Sequence, residues 1–473
     1  GVARTGMPLK NFVRVMVMIA FVIPNFIGAV AWILMLGPNA GWLNVIFSEW
    51  LGPSFRIDIY SLHGLIIILS VSFYPIVFFA VSAALENMDR SYEEATRMSG
   101  ASAWHGATRI TLPLVAPAIL SSAILVFLDA MGAFGAAAAI ANGGGFHVMT
   151  TKIYELFSYP PQFELAAAAA TPIIVLTMLG LVLQRYALGR RRYAVISGKA
   201  ARDADRSSRV TKAIFLAYSL LVIAVTVMIP LVVLLRTSFL RRWSGALTAD
   251  NLTWENYAIL TDFSTYIPKA VMNSIVIGIA VASISVVLGV VIVWLVERTN
   301  ARGRSILVFV STVTFAFPGL ALAVGFVIGY STAWVSLYGT IWLFFIAFTA
   351  QRFPFAFVFL RNAIKQMAPE LEEAGRMSGA GWLRTIKDIS IPVLRSGVIA
   401  AWILVFAVSL RELSMAILLY VPGLETLPIA IFNYVDDGRF PVAASLSVLL
   451  ILVSVISVAL VQSLTRKRSS AEA

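Results

Sequence analysis

The segment EEATRMSGA at residues 93–101 returns as EEAGRMSGA at residues 372–380. Eight of the nine positions are identical, and each copy is followed at the same distance by a hydrophobe and a proline, Leu112-Pro113 and Ile391-Pro392. We call the separation between the two copies, from Glu93 to Glu372, the repeat offset. Membrane-spanning segments resemble one another because a bilayer requires only hydrophobicity, but a charged loop is under no such requirement. The repeat therefore indicates an internal duplication that kept a polar device intact.

The composition around these two segments is that of a membrane protein. Of the 473 residues, 59% are hydrophobic and only 13% are charged, whereas a soluble domain carries about a quarter charged residues. The apolar runs are continuous and about 20 residues or longer, which is the length that an α-helix needs to cross a bilayer. We therefore predict an all-α integral membrane protein. The chain has no cysteine, which excludes disulfides and thiolate metal sites.

The apolar runs predict about ten transmembrane helices, four in the first half and six in the second. The first half aligns with spans three to six of a six-span unit, because Tyr74-Pro75 matches Phe353-Pro354 at the repeat offset. The first two spans of that unit are truncated or absent, and we expect the chain, which begins with Gly1, to start inside a longer gene product. The predicted ranges are about 12–36, 61–85, 114–140, 166–187, 213–235, 271–296, 305–330, 337–360, 393–420 and 441–464.

The charges of the connections predict the orientation. The connection 185–212 carries nine Lys or Arg residues against two Asp, whereas the connection 421–440 has a single arginine beside three acidic residues. The positive-inside rule then places both copies of the repeat and both chain ends in the cytoplasm, and it explains the net charge of +12 without a nucleic-acid partner. Since an even-numbered unit repeats in the same orientation, the predicted domains are two parallel units, 1–190 and 213–466, joined by a basic cytoplasmic linker, 191–212.

Each copy of the repeat carries the signals of a short helix. Ser91 with Glu94 fits a capping box, and Pro369 suits the first position of a helix. Gly100 and Gly379 are placed to end their helices in the left-handed conformation. We expect a short helix, a glycine break, a second short helix and then the return into the bilayer.

The two loops resemble the EAA loop of permease subunits in bacterial binding-protein-dependent ABC importers. Small departures are Thr96 and Gly375, where that family often has Ala, and Ile391 in place of Leu. The matching residues are Glu94-Ala95-Thr96, Gly100, Ile110 and Leu112-Pro113 in the first loop, and Glu373-Ala374-Gly375, Gly379, Ile389 and Ile391-Pro392 in the second.

The resemblance implies that each loop is a coupling helix that docks into a groove of a cytoplasmic ATPase dimer. It also implies a separate substrate-binding protein outside the membrane. The chain has no GxxxxGK[ST] motif, so we expect ATP and Mg on the partner ATPase, no cofactor on this chain, and a transporter subunit rather than an enzyme. The expected ATPase-coupling residues are Glu93, Glu94, Ala95, Gly100, Pro113, Glu372, Glu373, Ala374, Gly379 and Pro392.

Two such units in one polypeptide resemble the iron(III)-type branch of these importers, in which ferric iron is the substrate. Segments 142–161, 193–199 and 410–413 support that branch. Fused permeases for polyamines, thiamine and aminoethylphosphonate are similar in design and remain alternatives. A secondary transporter and a non-transporting scaffold or channel are further alternatives, although a secondary transporter usually shows inverted repeats.

Four ionisable residues within predicted spans lie near the expected pathway: Asp129, Arg352, Arg411 and Glu412. A charge at bilayer depth is costly unless it is paired or hydrated, so each is a candidate for the translocation path. The alternative is that they form buried ion pairs. The three histidines do not share metal-ligand spacing, so no metal site is predicted.

Overall fold

The computed structural model describes residues 1–52, 54–89, 91–158, 160–189, 208–244, 247–300, 302–331, 336–368 and 370–471. Within these ranges the secondary structure is helical, and β-type pairing is limited to an isolated bridge between Leu240 and Leu252. The predicted linker 191–212 lies largely outside the described residues, as does the segment 193–199.

The helices follow one another along the chain with short connections. Up to residue 189 they are α1 Lys10–Val22, α2 Asn25–Leu36, α3 Trp42–Leu51, α4 Leu62–Asn87, α5 Ser91–Met98, α6 Ala103–Gly106, α7 Leu112–Gly132, α8 Gly135–Gly144, α9 Met149–Phe157 and α10 Phe163–Gly189. From residue 208 they are α11 Arg209–Ile223, α12 Ile229–Ser238, α13 Glu255–Ala258, α14 Ile267–Arg298, α15 Arg304–Val313, α16 Gly319–Ser331, α17 Ile341–Lys365, α18 Glu370–Met377, α19 Trp382–Thr385, α20 Ile391–Leu410, α21 Ala416–Leu419, α22 Leu427–Asp436 and α23 Phe440–Ala471. Three π-helices lie at Ala107–Thr111, Ala224–Met228 and Ile386–Ser390, and two 3₁₀ turns lie at Ala249–Asn251 and Thr314–Ala316.

Eight of the ten predicted spans each overlap a described helix, or an unbroken run of helical segments, that is long and apolar enough to cross a membrane. The prediction of an all-α membrane protein is therefore confirmed. The other two predicted spans, 12–36 and 305–330, are broken. A bend of 98° separates α1 from α2 at Pro24, and Pro318 separates the 3₁₀ turn after α15 from α16. Proline removes a backbone donor and clashes with the preceding turn, so equivalent prolines interrupt equivalent spans in the two halves.

The described residues form two compact units. The first comprises residues 1–148 and 172–234, and the second comprises residues 149–171 and 235–473. In the second unit, α14, α17, α20 and α23 pack against one another. Its interior includes the fully buried rings of Phe344, Phe348 and Phe357 on α17. These four helices form the scaffold to which the second copy of the repeat is attached.

A buried asparagine fixes the turn after α2 in the first unit. The Asn44 side-chain amide donates to the carbonyl oxygens of Leu36, Gly37 and Ile57 at 3.0, 3.1 and 2.8 Å, and its oxygen accepts from the Ile57 N–H at 2.9 Å. Asn44 is only 3% exposed. Its amide therefore supplies partners to carbonyls at the end of α2 that have no donor within the helix.

We predict that Asn44→Ala lowers the free energy of unfolding by about 1–3 kcal/mol, because buried backbone groups lose their partners. The measurement is the thermal unfolding midpoint of the purified protein in detergent. Ser48→Ala is the control, since the Ser48 hydroxyl donates to the Val45 carbonyl of the same helix and does not bridge to the turn. Equal midpoints for the two variants would contradict this role.

Candidate functional site

The first copy of the repeat folds as a short helix that ends at a glycine. Helix α5 runs from Ser91 to Met98, and Gly100 follows with φ +74°. The Ala101 N–H donates to the Thr96 carbonyl at 3.2 Å, which is the hydrogen bond of a Schellman motif. The prediction of a left-handed glycine at this helix end is confirmed.

The second copy has the same helix end, the same left-handed glycine and the same Schellman bond. Helix α18 ends at Met377, Gly379 has φ +84°, and the Ala380 N–H donates to the Gly375 carbonyl at 3.1 Å. The starts of the two helices are less fully described. Pro369 lies outside the described residues, so its predicted position stays a prediction.

The predicted capping box of the first loop also stays a prediction. The side chains of Glu93, Glu94 and Ala95 lie outside what the structure describes. Ser91 is the first residue of α5, and its N–H donates to the Asp89 carboxylate at 2.9 Å.

A π-helix follows each loop, and the two π-helices are separated by the repeat offset. The first covers Ala107–Thr111 and the second covers Ile386–Ser390. In the first, the Leu112 N–H donates to the Ala107 carbonyl, five residues back. Pro113 and Pro392 come directly afterwards, at the start of α7 and α20, and cannot donate a backbone hydrogen bond. The expected second short helix is thus continuous with the membrane helix, through a wider turn that the sequence pattern did not reveal.

Large apolar side chains project from both loops. Met98 is 89% exposed and Met377 is 90% exposed, at matching positions of the repeat, and Trp104 in the first loop is 78% exposed. Glu373 and Ala374 on the second loop are exposed as well. Clustered exposed apolar groups with a polar surround are typical of a protein-interaction surface.

Glu372 behaves differently from its neighbour Glu373, because it is 2% exposed. Its Oε1 accepts from the Ser390 hydroxyl at 2.7 Å, and its Oε2 lies 3.2 Å from the Arg298 Nε. The same arginine donates from Nη2 to the carbonyls of Ile364 and Met367 at 3.0 and 2.8 Å. We call Arg298, Glu372 and Ser390 the basal clamp. It connects the ends of α14 and α17 with α18 and with the π-helix before α20.

Part of this arrangement recurs in the first unit. The Arg4 Nη2 donates to the Met88 carbonyl at 2.8 Å, and Met88 is the counterpart of Met367 at the repeat offset. In the sequence, the basic start of the chain from Arg4 to Lys10 resembles the connection 298–304, which begins with Arg298. This similarity is the signal in the sequence from which a shared role of Arg4 and Arg298 could have been predicted.

The structure brings together two of the four candidate path residues. Arg352 on α17 forms an ion pair with Glu412, and the two side chains are 10% and 11% exposed. A second oxygen of Glu412 accepts from the Met415 N–H at 2.9 Å. The pair lies beside the start of α16, since a Cβ built on Gly319 would be 3.3 Å from Glu412 Oε1. Each of the two charges thus has a partner of opposite sign close to the break at Pro318.

The other two candidates lie elsewhere. Asp129 is on an exposed face of α7. The expected continuous helix through Arg411 and Glu412 was wrong, because α20 ends at Leu410 and Arg411 has φ −97° and ψ 5°. The backbone turns here because the Glu412 carboxylate accepts from the start of the following short helix. The assignment of these four residues to the translocation path stays a prediction.

A second polar cluster lies at the opposite end of α14, about 48 Å from Arg298 along a 32-residue helix. The Tyr266 and Tyr434 rings stack with centroids 6.2 Å apart, and the Arg439 guanidinium lies 4.9 Å from the Tyr434 centroid. Burial raises the pKa of both phenols, so both stay neutral at physiological pH. The described residues contain no group of three His, Cys, Asp or Glu that could hold a metal ion.

Comparison with known proteins gives a family match over most of the chain. The family of "Binding-protein-dependent transport system inner membrane component" matches residues 2–193 and again residues 297–470. The "Ferric transport system permease protein FbpB" of Actinobacillus pleuropneumoniae is 24% identical over 446 residues, which cover 93% of this chain and 64% of that protein. The chain thus spans less than two thirds of the length of that relative.

Two further similarities cover about half of the chain. The "Putative 2-aminoethylphosphonate transport system permease protein PhnV" of Salmonella paratyphi A is 23% identical over 229 residues, which cover 48% of this chain and 85% of that protein. A solved bacterial ABC transporter involved in the import of the acidic polysaccharide alginate has a TM-score of 0.41 at 15% identity. That match covers 55% of this chain and 99% of the matched chain.

We predict that Glu412→Ala destabilises the protein by about 3–5 kcal/mol, because it leaves the Arg352 charge buried without its partner. The thermal unfolding midpoint in detergent measures the loss. Glu155→Ala is the control, since the exposed Lys152–Glu155 pair at 3.0 Å contributes about 0–1 kcal/mol. Similar midpoints for the two variants would show that the Arg352–Glu412 pair does not stabilise the fold.

Proposed function

Because this chain belongs to the family of binding-protein-dependent transport system inner membrane components, we propose that it is the permease of an ATP-driven importer. It receives a substrate from a binding protein outside the membrane and releases it into the cytoplasm. Family membership and the eight apolar helices make it a multi-pass inner-membrane protein. In the proposed orientation both chain ends and both loops face the cytoplasm, with permease units at 1–190 and 213–466.

The observation that carries the proposal is the matching backbone of the two loops. Each has a short helix, a left-handed glycine, a Schellman bond, an exposed methionine and a π-helix before the membrane helix. Two matching surfaces suit two subunits of an ATPase dimer. Glu373, Ala374 and Met377 would contact one subunit, and Glu94, Ala95 and Met98 would contact the other. ATP and Mg would be held by that partner, and this chain would bind no cofactor.

Transport then follows from movement of the two loops. Closure of the ATPase dimer around ATP would draw the loops together, and the helices attached to them would switch between outward-open and inward-open packings. Asp129, Arg352, Arg411 and Glu412 are the proposed path residues. The Arg352–Glu412 pair beside the break at Pro318 is a place where such a switch could exchange one set of polar partners for another.

The proposed substrate is ferric iron. The support is the similarity to a ferric permease along 93% of this chain, in addition to the fused arrangement of two units. The second candidate is 2-aminoethylphosphonate, which is favoured by the similarity to PhnV over 48% of the chain. Polyamines and thiamine remain open alternatives on the resemblance alone.

We predict that the double variant Gly100→Ala, Gly379→Ala uncouples ATP hydrolysis from uptake. An L-residue in the left-handed conformation costs about 1–2 kcal/mol, so both loop ends would lose their geometry. The measurement is substrate uptake per ATP hydrolysed, in proteoliposomes with the ATPase and the binding protein. Gly145→Ala is the matched control, since Gly145 also has a positive φ of 66° at a helix end and open space around its Cβ position. Unchanged coupling in the double variant would overturn the proposed role of the loops.

We predict that the reconstituted importer accumulates radioactive ferric iron in an ATP-dependent way, and that an excess of 2-aminoethylphosphonate does not compete. The readout is trapped label inside the vesicles with ATP, and with a non-hydrolysable analogue as the control. Accumulation of labelled 2-aminoethylphosphonate instead would replace iron by the second candidate while leaving the permease function in place.

A further inference from the structure

Two adjacent glutamates of the second loop face in different directions. Successive residues of an α-helix are turned by about 100°, and Glu373 is exposed whereas Glu372 is 2% exposed. Both carboxylate oxygens of Glu372 already have partners inside the protein, Ser390 at 2.7 Å and Arg298 at 3.2 Å. A carboxylate in this position has no free face for a partner protein.

Arg298 joins three helices through one guanidinium group. It is the last residue of α14, it donates to two carbonyls at the end of α17, and it pairs with Glu372 on α18. A cation at the C-terminal end of a helix is favourable, and a buried ion pair is stable only when further hydrogen bonds satisfy both partners. Arg298 meets the first condition, and each partner of the ion pair makes further hydrogen bonds, Arg298 to two carbonyls and Glu372 to Ser390.

The bond from arginine to carbonyl occurs once in each unit. Arg4 and Arg298 both lie six residues before the start of the next described helix, at Lys10 and Arg304. Each donates at 2.8 Å to a methionine carbonyl just before the loop. The two methionines are related by the repeat offset. We therefore assign this hydrogen bond between arginine and methionine to the duplicated segment and not to packing that is particular to one unit.

We propose that Glu372 is a positioning residue, which with Arg298 and Ser390 fixes α18 to the membrane helices, while its neighbour Glu373 faces the ATPase. The inference deepens the proposed function and rests on it. Without the clamp, α18 keeps its backbone connection and its packing against the π-helix before α20, where Gly375 lies beside Ile389, but it loses its link to α14 and to the end of α17. With the clamp, displacement of the loop is passed directly to α14, α17 and α20.

The neighbouring ion pair supplies a matched control. Glu297 on α14 lies 2.5 Å from the Arg361 Nε on α17, so it joins the same two helices one residue away and does not involve α18. Glu372→Gln keeps an acceptor for Ser390 but removes the charge that faces Arg298. Glu297→Gln makes the same chemical change without affecting the loop.

The first experiment needs neither the ATPase nor a substrate. Since the chain has no cysteine, Met377→Cys places a single spin label on the exposed tip of the loop in the full-length protein. We expect Glu372→Gln and Arg298→Gln to increase the mobility of the label in the electron paramagnetic resonance spectrum, and Glu297→Gln to leave it unchanged. Equal spectra for Glu372→Gln and Glu297→Gln would overturn the proposal, whatever the chain transports.

The second experiment uses the complete importer in proteoliposomes. We expect Glu372→Gln to keep the affinity for the ATPase but to reduce uptake per ATP hydrolysed by about tenfold, a size that altered coupling between sites can reach. Glu373→Gln should instead weaken ATPase binding. If Glu372→Gln weakens ATPase binding and leaves coupling intact, Glu372 is a contact residue and the proposal is wrong. If the unmodified chain neither binds an ATPase nor supports ATP-driven uptake, the proposed function fails, and the spectroscopic result still decides the clamp.

Discussion

The bilayer core provides no hydrogen-bonding partner for the backbone, and this constraint organises the whole chain. It requires continuous helices wherever the chain faces lipid, and it confines interruptions to places where protein groups can satisfy the freed backbone. The same constraint concentrates specific polar chemistry at the helix ends, where the repeated loops, the basal clamp and the tyrosine stack are found.

Features that depend on a few consecutive residues could be predicted from the sequence. The left-handed glycines are an example, because a short polar helix followed by glycine has few other ways to end. The π-helices could not be predicted, since a wider turn depends on the packing of the elements that it joins. The role of Arg298 could not be predicted, because the sequence does not show which carbonyls and carboxylate it meets in three dimensions.

The two halves of the chain are more similar to each other in their loops than in their membrane helices. Arg352 and Glu412 form a buried ion pair in the second half, but their counterparts at the repeat offset are Phe73 and Ala133. A buried pair carries a desolvation cost that apolar residues avoid, and the first half has apolar residues at both positions. The two halves therefore differ in the chemistry of their interiors, while they kept a common form of the exposed loop.

Each π-helix connects its loop to the membrane helix without an interruption of the helical backbone. The number of residues in this connection therefore sets how the loop is rotated relative to the membrane helix. One residue inserted or deleted in the helical stretch before Pro392 would rotate α18 by about 100° relative to α20, which would turn the exposed side chain of Met377 in another direction. Substitutions can accumulate here far more easily than changes in length. The stretch from Tyr74 to Pro113 has the same length as the stretch from Phe353 to Pro392, which is what such a restriction on insertions and deletions would leave behind.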